Sequence, residues 1–247
     1  MLFKIKYGDI LAMAEITKAN IEWRDGQLPV SVRFNDPYYS LNNGLAETEH
    51  VFINGNNLPS RLTKNTKFHV AELGFGTGLN FLATWKLYKE IAPQNSGLIF
   101  SSFEQYPLTK LDIAQALKPF AGIEHFLKLL LEQWPEVVPS EDISISFGSV
   151  RLNVYIGDAN DKIAALKQPV DAWYLDGFSP AKNPELWGDE LMKNVGAKTK
   201  IGGSFSTYSA AGWVRERLFN AGFEVERIAG YGRKKHMSIG YKREPVF

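Results

Sequence analysis

The sequence contains no cysteine. Disulfides, thiolate metal sites and cysteine nucleophiles are therefore excluded. It also lacks a long apolar run, and Lys4, Lys6, Asp9 and Glu15 interrupt the apolar residues near the N-terminus. This pattern predicts neither a membrane-spanning helix nor a cleavable signal. We expect a soluble, cytoplasmic protein that does not contact a membrane.

An excess of charge of one sign is also absent. Lys and Arg number 28 against 27 Asp and Glu, which gives a net charge of +1. Any contact with RNA must therefore rely on a local basic patch and not on a strongly basic molecule. No Gly-x-Ser-x-Gly element is present, so a hydrolase elbow is not predicted. The four histidines show no metal-ligand spacing, and we predict no metal: His50, His69, His125 and His236.

The chain has 247 residues, of which 45% are hydrophobic and 13% aromatic, enough for one substantial core or a core with a small appendage. Predicted strands alternate with helices from about residue 61 onward. This alternation predicts an α/β fold of Rossmann-like type, a mostly parallel sheet with helices on both faces. Residues 1–60 are predicted to form a small β-rich N-terminal extension, and residues 61–247 the main domain.

Residues 67–80, KFHVAELGFGTGLN, read as a buried strand, a glycine turn and the start of a helix. The dinucleotide fingerprint fails here because Leu79 stands where its third glycine belongs, and no Gly-Lys-Ser/Thr follows to make a P-loop. The pattern acidic-x-Gly-x-Gly-x-Gly instead resembles the S-adenosylmethionine loop of Rossmann-like methyltransferases. A tight turn without a ligand is the alternative. The cofactor-binding residues predicted in this stretch are Glu72, Gly74, Phe75, Gly76, Thr77, Gly78 and Asn80.

Two further strand ends carry acids. Glu104 follows the predicted strand 97–103, where Rossmann-type sites hold a ribose diol. A solvated loop acid is the alternative. Gly157 and Asp158 end a third strand, where an acid of a methyltransferase commonly faces the adenine. Asp158 is equally suited to cap the helix predicted at residues 162–166, and both roles can coexist.

The predicted strand 170–175 runs directly into Asp176. In an open α/β sheet, ligands bind outside the carboxyl ends of the strands, which places Asp176 at the predicted site. Two prolines stiffen the following loop, and Phe178 and Trp187 provide aromatic surface near the acid. This combination suits a positively charged or amine-bearing planar substrate. The alternative role for Asp176 is to cap the next turn.

The loop supports a more specific comparison. Residues 176–187 read Asp-x-Phe-x-Pro-x-Lys-x-Pro-Glu-x-Trp, which resembles the signature of the methyltransferase domain of the bifunctional tRNA-modifying enzyme for 5-methylaminomethyl-2-thiouridine. The similarity extends over residues 20–245, and the other segments that resemble this family are 35–40, 44–52, 72–80, 102–104 and 230–237. Asn35 stands where the family usually has Asp. The chain ends at Phe247 without a flavin-dependent oxidase domain, so we expect it to perform only the methylation.

The resemblance implies transfer of a methyl group from S-adenosylmethionine to the primary amine of 5-aminomethyl-2-thiouridine at the tRNA wobble position. Asp176 would hold the amine and accept its proton, Tyr38, Tyr39 and Phe178 would stack on the uridine, and the basic run 233–235 would contact tRNA. Tyr39 also fits a plain core aromatic. The substrate-binding residues that the resemblance implies are Asp36, Tyr38, Tyr39, Glu47, Phe178, Pro180, Lys182, Arg233, Lys234 and Lys235.

Partners implied by the resemblance are tRNA and, through the supply of substrate, the enzymes that make the aminomethyl-uridine. Two alternatives remain open from the sequence. One is an S-adenosylmethionine-dependent methyltransferase that acts on a small molecule or a protein. The other is a non-catalytic nucleotide- or RNA-binding module, against which the joint presence of Glu72, Glu104 and Asp176 argues.

Overall fold

The structure, a computed structural model, describes residues 18–40 and 43–244. Their strands form a three-stranded sheet and an eight-stranded sheet. The strands are β1 Ile21–Arg24, β2 Leu28–Ser31, β3 Asp36–Pro37, β4 Lys67–Leu73, β5 Gly97–Glu104, β6 Ile143–Phe147, β7 Val150–Ile156, β8 Val170–Leu175, β9 Thr199–Thr207, β10 Phe223–Ala229 and β11 His236–Lys242. The α-helices are α1 Gly44–Thr48, α2 Leu58–Leu62, α3 Leu79–Ile91, α4 Lys110–Leu117, α5 Glu124–Gln133, α6 Ala159–Lys162, α7 Asp189–Lys198 and α8 Gly212–Asn220.

The large sheet has the order β10-β11-β9-β8-β4-β5-β7-β6. Its five central strands, from β9 to β7, are parallel, while β6 and β11 pair antiparallel with their neighbours. The predicted fold class, a mostly parallel Rossmann-like sheet with helices on both faces and a small N-terminal β-sheet, is confirmed. The alternating residues on either side of Gly148-Ser149 predict a hairpin-like pair of strands, and β6 and β7 form this hairpin.

Side chains alternate between two cores along the central strands, as the period of two in a strand requires. In β4, Val70 packs with the helices α2, α3 and α5, whereas Ala71 packs with α7 and α8. In β8, Tyr174 faces the first core and Trp173 the second. Both faces of the sheet are thus covered, which explains why its central strands are apolar throughout.

The strand register determines where the site forms. Leu73 of β4 pairs with Phe103 of β5 and with Leu175 of β8. The residues that follow these positions therefore leave the sheet at the same level of its carboxyl edge. The chain runs from β4 to β5 on one side and returns to β8 on the other, and such a reversal is where open α/β sheets bind ligands.

The N-terminal region is β-structured only over residues 21–37 of the described chain. From Gly44 it is helical, with a π-helical turn at Glu49–Asn54 between α1 and α2. Phe52 and Leu58 of this helical stretch are buried in the same core as α3 and α5. Residues 44–62 therefore complete the main core, and the predicted division at residue 60 stays a prediction. Residues 1–17, which were predicted to belong to the N-terminal extension, lie outside the described residues.

Several predicted boundaries shift. The helix after Asp158 begins at Ala159, not at residue 162, because the Asp158 side chain accepts a hydrogen bond from the Asn160 amide and caps it there. The apolar pattern predicts a further strand over residues 201–205, and the observed β9 is longer, Thr199–Thr207, with an irregular register where Gly202 takes a φ of +72°. Across residues 18–40 and 43–244, every helix is too short or too polar to span a lipid bilayer.

Candidate active site

A cavity of about 700 Å³ opens at the carboxyl edge of the large sheet. Its wall is built from the N-terminal sheet, α1, the glycine turn, the ends of β5, β7 and β8, and the loop between β10 and β11. Most of the predicted site residues border it: Asp36, Tyr38, Tyr39, Glu47, Gly74, Phe75, Gly76, Thr77, Asn80, Glu104, Gly157, Asp158, Asp176, Phe178, Arg233 and Lys234. The others do not: Glu72, Gly78, Pro180, Lys182 and Lys235.

The glycine turn is held in a conformation that only glycine adopts easily. Gly74, Gly76 and Gly78 have φ values of +91°, +53° and +80°. A Cβ atom on Gly76 would lie 3.1 Å from the Tyr38 ring across the cavity wall. A Cβ atom on Gly78 would instead lie 2.8 Å from the buried Phe75 ring. Gly76 therefore keeps space at the cavity, whereas Gly78 keeps space inside the turn itself.

Glu104 fastens the end of β5 to this turn. Its carboxylate accepts hydrogen bonds from the backbone amides of Gly76 and Tyr106, each at 2.8 Å. Burial raises the pKa of Glu104, and these backbone hydrogen bonds act in the opposite direction. The carboxylate still borders the cavity, so the predicted contact with a ribose stays a prediction.

Two further acids, Asp158 and Glu72, accept hydrogen bonds from other groups of the protein. Asp158 borders the cavity and also caps α6, which confirms its predicted capping role and leaves the adenine contact as a prediction. Glu72 is completely buried and accepts hydrogen bonds from Asn80 Nδ2 at 2.8 Å and from Ser102 Oγ at 2.7 Å. The structure thus places Glu72 behind the cavity wall, because its position in β4 precedes the end of the strand by one residue.

Asp176 follows the last residue of β8 and borders the cavity. Asn80 Nδ2 donates a hydrogen bond of 2.6 Å to Asp176 Oδ2. The pKa of Asp176 is raised to about 8, chiefly by burial and also by the nearby Glu47, while the Asn80 hydrogen bond and Lys234 act in the opposite direction. A carboxyl group in this position can exchange a proton near neutral pH, which an ordinary aspartate does not do.

Lys234 borders the cavity from the loop between β10 and β11, and its side chain is 45% exposed. Its ammonium group is 2.9 Å from Glu47 Oε1 and 3.8 Å from the centre of the Tyr208 ring. Tyr208 is a site residue that the sequence analysis missed. It follows β9 by one residue at the carboxyl edge, so the rule that strand ends meet at this edge would have indicated it.

Phe34, Tyr38 and Phe178 form an aromatic wall on one side of the cavity. The rings of Phe34 and Phe178 stack with centroids 4.8 Å apart, and Tyr38 meets Phe178 edge-on at 5.1 Å. Phe34 was also missed, since it lies in the turn after β2, where sequence patterns carry little information. The Tyr39 hydroxyl donates to the carbonyl oxygen of Ala116 at 2.8 Å, a contact that fits the core role left open for Tyr39.

Asp36 and Lys182 bind each other. Lys182 Nζ lies 2.9 Å from Asp36 Oδ1, and Asp36 Oδ2 accepts a hydrogen bond of 2.9 Å from the Ser179 amide. This contact joins β3 to the loop after Asp176. Trp187 is buried, and its indole donates to the Phe178 carbonyl, so it supports the loop from behind and offers no cavity surface.

The described residues contain no group of three or more histidine or acidic side chains arranged to hold a metal ion. The groups that the site offers to a ligand are the glycine turn, carboxyl groups, the Asn80 amide, the cationic side chains of Arg233 and Lys234, and aromatic rings.

These features define a class of protein. In Rossmann-like S-adenosylmethionine-dependent methyltransferases, a glycine turn follows the central strand of a parallel sheet, and an acid stands at the end of the next strand. Residues 121–243 match the family of S-adenosyl-L-methionine-dependent methyltransferases, and the chain belongs to that family.

Individual relatives of this chain share one name. Over 235 residues, 94% of this chain, it is 41% identical to the tRNA 5-methylaminomethyl-2-thiouridine biosynthesis bifunctional protein MnmC of Marinomonas sp.. The protein of the same name from Aeromonas hydrophila is 39% identical over 244 residues. The chain spans only 35% and 37% of the length of these two relatives. The resemblance found in the motifs is thus confirmed.

Solved structures show the same fold. The crystal structure of MNMC2 from Aquifex aeolicus has a TM-score of 0.74 at 24% identity, over 94% of this chain and 73% of that one. Spermidine synthase from Thermotoga maritima has a TM-score of 0.51 at 11% identity, over 91% of this chain and 72% of that one.

The residues present fit the family's cofactor. The cavity volume lies within the usual range of roughly 300–1,000 Å³ for ligand sites. Gly74 and Gly76 leave the backbone of the turn open to close approach, since a Cβ atom on either would meet its neighbour at 3.2 or 3.1 Å. Glu104 and Asp158, at the ends of two neighbouring strands, would hold the nucleoside end, and the turn would hold the methionine end.

Proposed function

We propose that this chain methylates the primary amine of 5-aminomethyl-2-thiouridine at the wobble position of tRNA, giving 5-methylaminomethyl-2-thiouridine. The observation that carries the proposal is the position of Asp176, a carboxyl group with a pKa raised to about 8, between the glycine turn and an aromatic wall. The relatives named for this modification support the choice of substrate.

S-adenosylmethionine, when bound, supplies a methyl group already activated on a sulfonium. The chain must then present an amine with a free electron pair, which an ammonium lacks. The charged Asp176 carboxylate takes one proton from the substrate ammonium and leaves the neutral amine beside it. Because its pKa is about 8, the carboxylate is a far stronger base than an ordinary aspartate.

Lys234 assists this deprotonation. Its ammonium group lies at the cavity wall, paired with Glu47 and set over the Tyr208 ring. A cation near a second amine disfavours the charged form of that amine. Lys234 therefore favours the neutral, nucleophilic state of the substrate.

The aromatic wall would stack against the uridine base of the tRNA. A uridine that is turned out of the anticodon loop needs a flat apolar surface to stack on. Phe34, Tyr38 and Phe178 offer such a surface on one side of the cavity. Arg233 at the cavity and the exposed Lys235 beside it would contact the phosphates of the tRNA.

Such a reaction takes place where tRNA is processed, so we place the protein in the cytoplasm. Its substrate must come from enzymes that install the aminomethyl group, and the chain would be functionally coupled to them.

The proposal is tested with the purified protein, S-adenosylmethionine and tRNA that carries aminomethyl-uridine. Mass spectrometry of the digested nucleosides should show the methylated base. tRNA with unmodified uridine is the substrate control, and Asp176→Asn is the enzyme control. Binding of the cofactor without any methylation of the aminomethyl tRNA would contradict the proposal.

A further inference from the structure

A buried chain of hydrogen bonds leads to Asp176 from behind the cavity. Asn80 Nδ2 donates to Glu72 Oε1 at 2.8 Å and to Asp176 Oδ2 at 2.6 Å. The Thr48 hydroxyl donates to Asn80 Oδ1 at 2.7 Å, and the Ser102 hydroxyl donates to Glu72 Oε2 at 2.7 Å. Thr48, Glu72, Asn80 and Ser102 are all buried.

The hydrogen-bonding capacity of the Asn80 side-chain amide is almost fully used. Its two N–H groups go to two different carboxyl groups, and its oxygen already accepts one hydroxyl. The Thr48 hydroxyl also fixes the orientation of the amide, because a flipped amide would turn its oxygen towards two acids. Asn80 therefore has little capacity left for a cofactor, although the sequence pattern predicted it as a cofactor contact.

We propose that Asn80 is the positioning residue of Asp176: its amide, oriented by Thr48 and anchored on Glu72, fixes the carboxylate that receives the amine proton. This inference deepens the proposed function and rests on it for the identity of the amine. The charge-assisted hydrogen bond also favours the ionised carboxylate, so the same contact sets the basicity of Asp176.

The groups facing Asp176 from the packed elements are few. They are Glu47 from α1, Glu72 from β4, Tyr208 after β9 and Lys234 from the β10–β11 loop. Burial raises the pKa of Glu72 well above its usual range and so disfavours the charged form of this neighbour. Of the side chains around Asp176, Asn80 is the one that donates a hydrogen bond to its carboxylate in the described chain.

The test follows the titration of Asp176 directly. The protein is labelled with 13C at the aspartate carboxyl carbons, and the Asp176 signal is assigned by its loss in Asp176→Asn. Asn80→Leu, of similar size, removes both donors; the pKa of Asp176 should rise by about one to two units, the effect of one hydrogen bond to a charged group. Thr48→Val keeps the amide but frees its rotation, and should raise the pKa by less.

A matched control is available on the same helix. The buried Thr84 donates its hydroxyl to the backbone carbonyl of Asn80, at 2.7 Å, and not to the side-chain amide. Thr84→Val therefore makes the same chemical change and should lower the melting temperature without moving the Asp176 pKa. In the methylation assay, the rise of rate with pH should shift upward by the same one to two units in Asn80→Leu. The rate at pH 7 should fall about tenfold to a hundredfold and recover at high pH.

Three outcomes would overturn the inference. One is an unchanged Asp176 pKa in a folded Asn80→Leu protein. Another is a loss of S-adenosylmethionine affinity in calorimetry with the titration unchanged, which would make Asn80 a cofactor contact. If Asn80→Leu does not fold, equal titrations of Thr48→Val and Thr84→Val decide against it. Failure of the proposed function is recognised separately, because the titration needs no substrate.

Discussion

Replacing Gly76 by alanine should weaken cofactor binding at a small cost in stability. Gly76 has a φ of +53°, and an added Cβ atom would lie 3.1 Å from Cδ1 of Tyr38. The left-handed backbone costs an L-residue about 1–2 kcal/mol. The new methyl group also fills the gap between the glycine turn and the aromatic wall, where a ligand must approach the backbone.

The β6–β7 hairpin supplies the matched control. Gly148 has a φ of +67°, and an added Cβ atom there would meet nothing within 4 Å. Gly148→Ala therefore carries the same backbone strain with no contact and no place at the cavity. Both variants should lose about 1–2 kcal/mol of unfolding free energy in urea.

The difference should appear in binding. Calorimetry with S-adenosylmethionine should show an affinity at least about tenfold weaker for Gly76→Ala, which corresponds to about 1.4 kcal/mol, and an unchanged affinity for Gly148→Ala. Part of the loss has a second cause, because strain at Gly76 disturbs the amide that donates to Glu104 at 2.8 Å. Equal affinities in the two variants would refute the reasoning and remove the turn from the cofactor site.

Four other predictions follow from the site. Glu104→Gln should weaken cofactor binding about tenfold to a hundredfold, since a hydrogen bond to a carboxylate contributes about 1.5–3 kcal/mol; an unaltered dissociation constant would count against the ribose contact. Asp176→Asn should reduce turnover by about 10²–10⁴-fold with most cofactor affinity kept; if binding of the cofactor is lost instead, Asp176 is a binding residue. Asp36→Asn weakens the contact between β3 and the loop after Asp176. It should raise the KM for tRNA and cost at most about 1 kcal/mol of stability; an unchanged KM would show that this contact does not affect substrate binding. Lys235→Gln should flatten the salt dependence of tRNA binding. Lys234→Gln should instead raise the pKa of Asp176 and shift the pH–rate profile to higher pH. A flatter salt dependence in Lys234→Gln with an unchanged pH–rate profile would show that Lys234 contacts the RNA.

The elements with a local signal could be predicted from the sequence alone. A period of two and apolar runs indicated the strands, and the glycines at alternate positions from 74 to 78 required a turn that follows β4. The acids Glu104, Asp158 and Asp176 were found because each directly follows a predicted strand. The parallel topology then brings strand ends to one edge, so the approximate site could be predicted before any coordinates.

The contacts between side chains of the site could not be predicted from local patterns. Asn80 reaches Asp176 across 96 positions of sequence, Lys234 reaches Glu47 across 187, and Lys182 reaches Asp36 across 146. No local pattern encodes such pairs, because they depend on strand order, register and the path of loops. For the same reason the sequence could not show that Lys234 pairs with Glu47 at the edge of the cavity, or that Glu72 is completely buried behind its wall. The predicted contacts of Lys234 with tRNA and of Glu72 with the cofactor stay predictions.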